Sequence, residues 1–330
     1  MRDHGGNLDW AMSHWGGPIM GGPIMGGPDL NRSDWIDLST GINRVPYPVG
    51  TVSAEAWTAL PTRAAMAGLL AAARLAYATS VPMVALAGAQ AAIQLIPRLC
   101  GPGLARVLGP TYNEHAACLQ AAGWRVEQVA DWRQLAGADL AVVVNPNNPD
   151  GQVVSKADLL GLLGSVGRLV VDESFADATP ETSVAGTHAP GLIVLRSFGK
   201  FYGLAGLRLG FAIGADSAAL AEMAGPWAVS GPAIEVGTRA LLDGAWSAAT
   251  VARLRDDVAR LDAMTGWPLV GGTALFRLYR VKDAAAAQDR LARHRIWSRI
   301  FPYSRDWIRL GLPGSEAEFL RLSQALAGDP

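Results

Sequence analysis

The sequence predicts an α/β fold: a large domain with a mainly parallel sheet flanked by helices, plus a smaller α+β domain. Three observations carry this. Short apolar runs alternate with helical stretches between about residues 80 and 215, unusual polar and glycine residues cluster at the ends of those runs, and the pattern changes character beyond Pro226. At 330 residues the chain also exceeds one ordinary core, which argues for a large domain and a smaller companion. The divisions expected are an N-terminal segment over 1–48 that packs with the small domain, a large domain over 49–225, and a small C-terminal domain over 226–330.

Taken in order, residues 16–28 hold the tandem repeat GGPIMGGPIMGGP, whose glycine pairs and prolines sustain neither helix nor central strand. A loop or connector is expected there. WIDLSTGINRVPYP (35–48) runs into a Gly- and Pro-punctuated turn, and AAMAGLLAAARLAY (64–77) reads as a soluble helix because Arg74 interrupts it. Buried strands are expected at 83–87, 106–108, 140–145, 169–172, 192–196 and 209–213. Helices are expected at 89–99, 113–122 and 156–166. Strands joined through helices form parallel sheets covered on both faces, and such sheets bind ligands at their carboxyl ends. Beyond Pro226 come a long helical stretch (233–264), TALFRLYR (273–280), a helix (283–293), WIRLGL (307–312) and a final helix (315–326).

Composition narrows the function. Half the residues are hydrophobic, 17% are charged and the formal net charge is −1, so no basic footprint points to nucleic acid or an anionic membrane. A small-molecule partner is expected. The two cysteines, Cys100 and Cys118, have no metal-like spacing, and no metal is expected. MRDHGGNLDW holds no continuous apolar signal core, and the protein is expected in the cytoplasm.

The chemistry concentrates in RSFGKFYGLAGLRLGF (196–211). Ser197-x-x-Lys200 matches the first element of serine β-lactamases, but their SDN and KTG elements are absent; GLAGLRLG lacks the spacing of a nucleotide loop. Another reading explains more residues. A lysine amine condenses with an aldehyde cofactor, and pyridoxal phosphate needs a phosphate cradle, an acid at its ring nitrogen and a face-on contact. Ser197 and Arg208 suit the phosphate, with backbone N–H groups of Ala89 and Gln90 after Gly88 at an expected helix start. Asp172, ending RLVVD, suits the ring nitrogen, Tyr112 the ring face, and Asn148 the 3′ oxygen. Each has a plain alternative: Asp172 as a helix cap, Asn148 as a turn former, Tyr112 as core, Gly88 as a turn. Arg196 has no argued role beyond the strand end.

The order GAQ…PTY…NPNNPDG…DES…SFGKFYGLAGLRLGF resembles the fold-type I, aspartate-aminotransferase-like pyridoxal-phosphate enzymes of the class I/II aminotransferase family, over most of the chain. The resemblance implies Lys200 as the covalent anchor and Arg208 eight residues later as the phosphate arginine. It implies catalytic parts for Asp172 and Tyr112, and assigns the cofactor's oxygen to Asn148 and the substrate carboxylate to Arg309. Within the family the chain is closer to a decarboxylase branch acting on a small phosphorylated amino acid than to histidinol-phosphate-type aminotransferases. That nearness rests on HGGN (4–7), DLSTGIN (37–43), LRSFGKFYGLAGLRLGF (195–211) and PWAVS (226–230). His4, Ile42 and Asn43 are accordingly expected at the substrate, and a homodimer is implied. Phe175 stands where the aminotransferases usually carry a tyrosine; it cannot donate to the cofactor's oxygen. Ala59-Leu60-Pro61 replaces the family's Arg-Tyr-Pro, and Pro313 replaces a second arginine of some of these decarboxylases. Whether carbon dioxide or a proton leaves depends on which bond to Cα stands perpendicular to the cofactor ring, a choice expected of Arg309 and Asn148.

Overall fold

The apolar runs of the alternating region become one seven-stranded sheet in the computed structural model, which describes residues 5–15 and 32–327. The GGPIM repeat and His4 lie outside the described residues. Contacts divide the chain into two compact units, one spanning Pro46–Ala249 and the other joining the residues up to Val45 with those from Thr250.

In the Pro46–Ala249 unit the strands stand in the order Met83–Leu86, Gly210–Ile213, Leu192–Ser197, Arg168–Asp172, Leu140–Val144, Leu104–Leu108, Arg125–Val129. Gly210–Ile213 runs antiparallel to both neighbours and the remaining pairs are parallel. The exception has a local cause. The connection before it holds only the four-residue helix Phe198–Phe201 and a 3₁₀ turn, short of the crossover helix that a parallel return requires. Arg125–Val129 was not expected from apolar runs; it is a half-exposed edge strand bonded to Leu104–Leu108. All five residues of Leu140–Val144 are buried, as befits a parallel strand covered on both faces. Leu86, Val107, Val142, Val170, Ile193 and Leu195 join in the core beside it.

Helix ends shift from expectation for identifiable reasons. Pro97 cannot supply an N–H, so the helix Ala89–Leu95 continues as a 3₁₀ turn, Ile96–Arg98. The stretch at 233–264 is two helices, Gly231–Leu242 and Gly244–Thr265. Asp243 leaves the helical region at φ −86°, ψ 74°, and its carboxylate accepts from Trp246 N–H at 2.9 Å to start the second.

The other unit holds a four-stranded antiparallel sheet ordered Arg299–Phe301, Ser304–Gly311, Phe276–Arg280, Leu269–Thr273. The run at 273–280 is therefore the turn and second arm of a hairpin, not one strand. Ile36–Asp37 pairs in parallel with Ile296–Trp297, and the helix Leu8–Trp15 sets Leu8 and Ala11 against Trp35, Ala292 and Trp297. Among the described residues no helix is long and apolar enough to cross a membrane.

Candidate active site

Parallel strands deliver their following loops to one edge, and that edge carries the site. After Met83–Leu86 comes Gly88, after Leu104–Leu108 Tyr112, after Leu140–Val144 Asn148, after Arg168–Asp172 the Ser174-Phe175 pair, and after Leu192–Ser197 Lys200. All nine positions the sequence nominates for cofactor contact line one pocket there, together with Ser174, Phe175, Gly199 and Ala205.

The wall near Arg208 is built from backbone that only glycine tolerates. Gly88 has φ +81°, and a Cβ on it would lie 2.8 Å from Nη2 of Arg208. Gly88 also caps the Ala89–Leu95 helix without a side-chain acceptor, so no side chain satisfies the first N–H groups of that helix. A Cβ on Gly210 would meet Ala89 N at 2.4 Å, which is how the antiparallel strand comes so close to this turn. Arg208 itself is left-handed at φ 55°, ψ 56° and donates from Nη1 to Ala205 O at 3.2 Å. Guanidinium and uncapped helix start together suit a phosphate.

Asp172 is 3% exposed. Ring nitrogen Nε2 of His115 lies 2.8 Å from its Oδ2, while Ser174 donates to Oδ1 from its backbone N–H at 3.0 Å and from its hydroxyl. Burial raises the carboxyl's pKa, but the hydrogen bonds from His115 and Ser174 and the charge of His115 outweigh it, so the group sits below its ordinary value. It is an ionised acceptor. His115 escaped the sequence reading; its signal was the spacing Tyr112-x-x-His115 at the start of the helix Glu114–Ala121.

Tyr112 donates its hydroxyl to Gln90 Oε1 at 3.1 Å, and burial, then the nearby Glu114 and Asp172, push its pKa up to about 12. A ring so held stays a neutral wall. Asn148 takes its place from its neighbours: Asn145 exchanges hydrogen bonds with Val154, and Asn147 bonds Thr111, Pro110 O and Asp150. Lys200 Nζ stands 5.8 Å from the centroid of the Phe175 ring. Its loop rests on aromatic stacking, with Phe198 and Trp246 each parallel to Tyr202. Arg196, without a role from sequence, is 4% exposed and bonds Glu173 at 3.0 Å and Asp177 at 2.8 Å.

Three substrate candidates lie in the other unit. Arg309, on Ser304–Gly311, is 5% exposed, donates from Nη2 to Ser39 O at 2.6 Å and lies over the Phe276 ring at 4.9 Å. Burial, then its cross-strand neighbour Arg299, push its guanidinium's pKa down, to about 9. Even so lowered, the guanidinium remains charged near neutrality. Asn43 Oδ1 accepts from Arg253 at 2.8 Å and from Val45 N–H at 3.0 Å, with Ile42 half-buried beside it. Gly6 N–H donates to Ser39 Oγ at 2.7 Å, and a Cβ on Gly5 would lie 2.4 Å from Ser39 O. Gly5 and Gly6 of HGGN and Arg309 thus meet at Ser39 of DLSTGIN. His4 lies outside the described residues.

An amine, an ionised carboxylate, an anion cradle and aromatic walls in one pocket can hold a small phosphorylated aromatic aldehyde with a basic ring nitrogen. Comparison with known proteins agrees. The chain is 42% identical to a threonine-phosphate decarboxylase of Sinorhizobium sp over 98% of this chain and 97% of that protein. It is 42% identical to a second, of Pseudomonas aeruginosa, over 99% and 98%. The solved histidinol-phosphate aminotransferase from Sinorhizobium meliloti, in complex with pyridoxal-5′-phosphate, shares the fold at TM-score 0.77 and 20% identity, covering 94% of this chain and 95% of that one. The model of one family, aminotransferase class I and II, matches residues 57–326, and the chain belongs to that family.

Proposed function

We propose that this protein is a pyridoxal-phosphate-dependent decarboxylase that converts L-threonine O-3-phosphate to (R)-1-aminopropan-2-yl phosphate and carbon dioxide, a step of cobalamin biosynthesis. One observation carries the reading: 42% identity, essentially end to end, to two threonine-phosphate decarboxylases. The residues fit the cofactor, since Gly88 leaves room for Arg208 beside the uncapped helix start and Asp172 is held ionised.

In this reading Arg208, Ser197 and the N–H groups of Ala89 and Gln90 hold the cofactor's phosphate. Asp172 keeps a proton on the ring nitrogen, because a carboxylate already taking donors from His115 and Ser174 is a weak competitor for it. Tyr112 covers the ring face and Asn148 serves its oxygen, where Phe175 offers no hydroxyl. Bound there, pyridoxal phosphate supplies an electron sink conjugated to the substrate Cα. Lys200 anchors the cofactor and, once carbon dioxide has left, delivers a proton to Cα. Arg309, Asn43, Ile42 and His4 are proposed for the substrate, and the protein for the cytoplasm as a homodimer.

Incubating the purified protein with L-threonine O-3-phosphate tests this. Aminopropanol phosphate and carbon dioxide should form without any 2-oxo acid. Turnover that depends strictly on 2-oxoglutarate overturns it in favour of an aminotransferase of the histidinol-phosphate type.

A further inference from the structure

Arg196 is buried, charged and absent from the chemistry above. Its surroundings explain why. The strands Arg168–Asp172 and Leu192–Ser197 are paired in register up to Asp172 with Leu195, and Glu173 N–H still reaches Leu195 O at 2.9 Å. Beyond that point the two strands part: the first ends at Asp172 and gives way to the turn carrying Ser174 and Phe175, and the second runs on through Ser197 into the short helix carrying Lys200. Arg196 spans them. Nη1 donates to Glu173 at 3.0 Å, Nη2 to Asp177 at 2.8 Å, and the guanidinium lies 4.4 Å from the centre of the Tyr77 ring. Glu173 is in turn fixed by Val184 N–H at 2.7 Å and the Ser183 hydroxyl at 2.5 Å.

Stability does not account for such a cluster. Buried ion pairs recover their desolvation cost poorly, and here two carboxylates share one cation. Burial pushes the Asp177 carboxyl upward despite Arg196, because the one guanidinium is shared with Glu173. What the planar guanidinium supplies is geometry: two acceptors on one loop are held at fixed angles from the residue that precedes Ser197.

We propose that Arg196 is a positioning residue that locks the Asp172–Asp177 segment to the Ser197–Lys200 segment, setting the spacing between the group at the cofactor's ring nitrogen and the groups at its anchor and phosphate. The inference rests on the pyridoxal-phosphate reading of the pocket. Two variants of the full chain test it, each stripped of cofactor and titrated with pyridoxal phosphate by visible absorbance while unfolding of the cofactor-free protein is followed in parallel. Arg196→Lys keeps the charge but loses the fork. Asp177→Leu removes one acceptor and the surplus buried charge, leaving Arg196 with Glu173.

Both variants should bind pyridoxal phosphate roughly tenfold more weakly. Asp177→Leu should do so with its unfolding temperature lowered by at most a few degrees, because loss of the Nη2 acceptor is offset by removal of the surplus buried charge; a merely structural role would couple the loss of affinity to a large loss of stability. Unchanged cofactor affinity in Asp177→Leu overturns the proposal, as does a loss of affinity in Arg196→Lys that Asp177→Leu does not share. Failure of the unaltered protein to bind the cofactor refutes the reading of the pocket instead.

Discussion

Gly88→Ala tests the anion cradle with the smallest possible perturbation, one methyl group. Two costs follow from the structure. At φ +81°, ψ 162° the backbone lies in a region essentially reserved for glycine, where an L-residue carries a penalty of about 1–3 kcal/mol, independent of space. The new Cβ also lies 2.8 Å from Nη2 and 3.2 Å from Cζ of Arg208. Because the clash is with the far end of a flexible side chain, the guanidinium moves and the backbone stays. The backbone penalty is modest against the roughly 5–15 kcal/mol that holds a protein folded, so the cofactor-free variant should fold and melt a few degrees lower. Displacing Arg208 removes a charge-assisted hydrogen bond worth about 1.5–3 kcal/mol, or roughly tenfold to a hundredfold in affinity for pyridoxal phosphate. Pyridoxal, which lacks the phosphate, should lose far less. Titrating the variant with both ligands gives the ratio of their dissociation constants. If both affinities fall equally, or neither falls, Arg208 does not grip the phosphate and the cradle argument is wrong.

Lys200→Ala should abolish the visible absorption of the enzyme-bound cofactor and all turnover, while the far-ultraviolet circular dichroism stays unchanged. Asp172→Asn should fold but lose most of its rate, since an amide cannot hold a proton on the ring nitrogen by charge; single-turnover decarboxylation measures the loss. His115→Phe acts on acid stability. Asp172's pKa is lower folded than unfolded, so its stabilisation is present above about pH 4 and vanishes as pH falls through the folded value. Removing His115 raises that folded value, and the acid-unfolding midpoint followed by circular dichroism should move to higher pH. Gly5→Ala drives a Cβ to 2.4 Å from Ser39 O, a backbone atom that cannot rotate away, at a cost of about 1–3 kcal/mol. Limited proteolysis should then cut within residues 5–15 faster than in the unaltered protein.

Some of the fold was legible because strand, helix and turn are local properties. The continuous apolar run Leu140–Val144 marked a fully buried strand, whereas RVEQV (125–129) was hidden by its half-exposed edge position. The reversal of Gly210–Ile213 was equally hidden, because direction depends on whether a connection has room for a crossover helix. TALFRLYR showed the same blindness to turns, concealing a hairpin at Ala274-Leu275.

The sequence by itself determined which chemistry the chain carries. Ser197, Lys200 and Arg208 lie within twelve residues, so their spacing could be read as one device, and Asp172, Asn148 and Tyr112 each stood at a strand end that periodicity revealed. Only the tertiary structure decided which partners tune them. His115 is 57 residues from Asp172, Arg196 is 23 from Glu173, and Arg309 is 270 from Ser39. A one-dimensional pattern holds no record of such pairs. They follow from strand order and from which loops a parallel sheet brings to one edge, and those are set by burial of the whole chain.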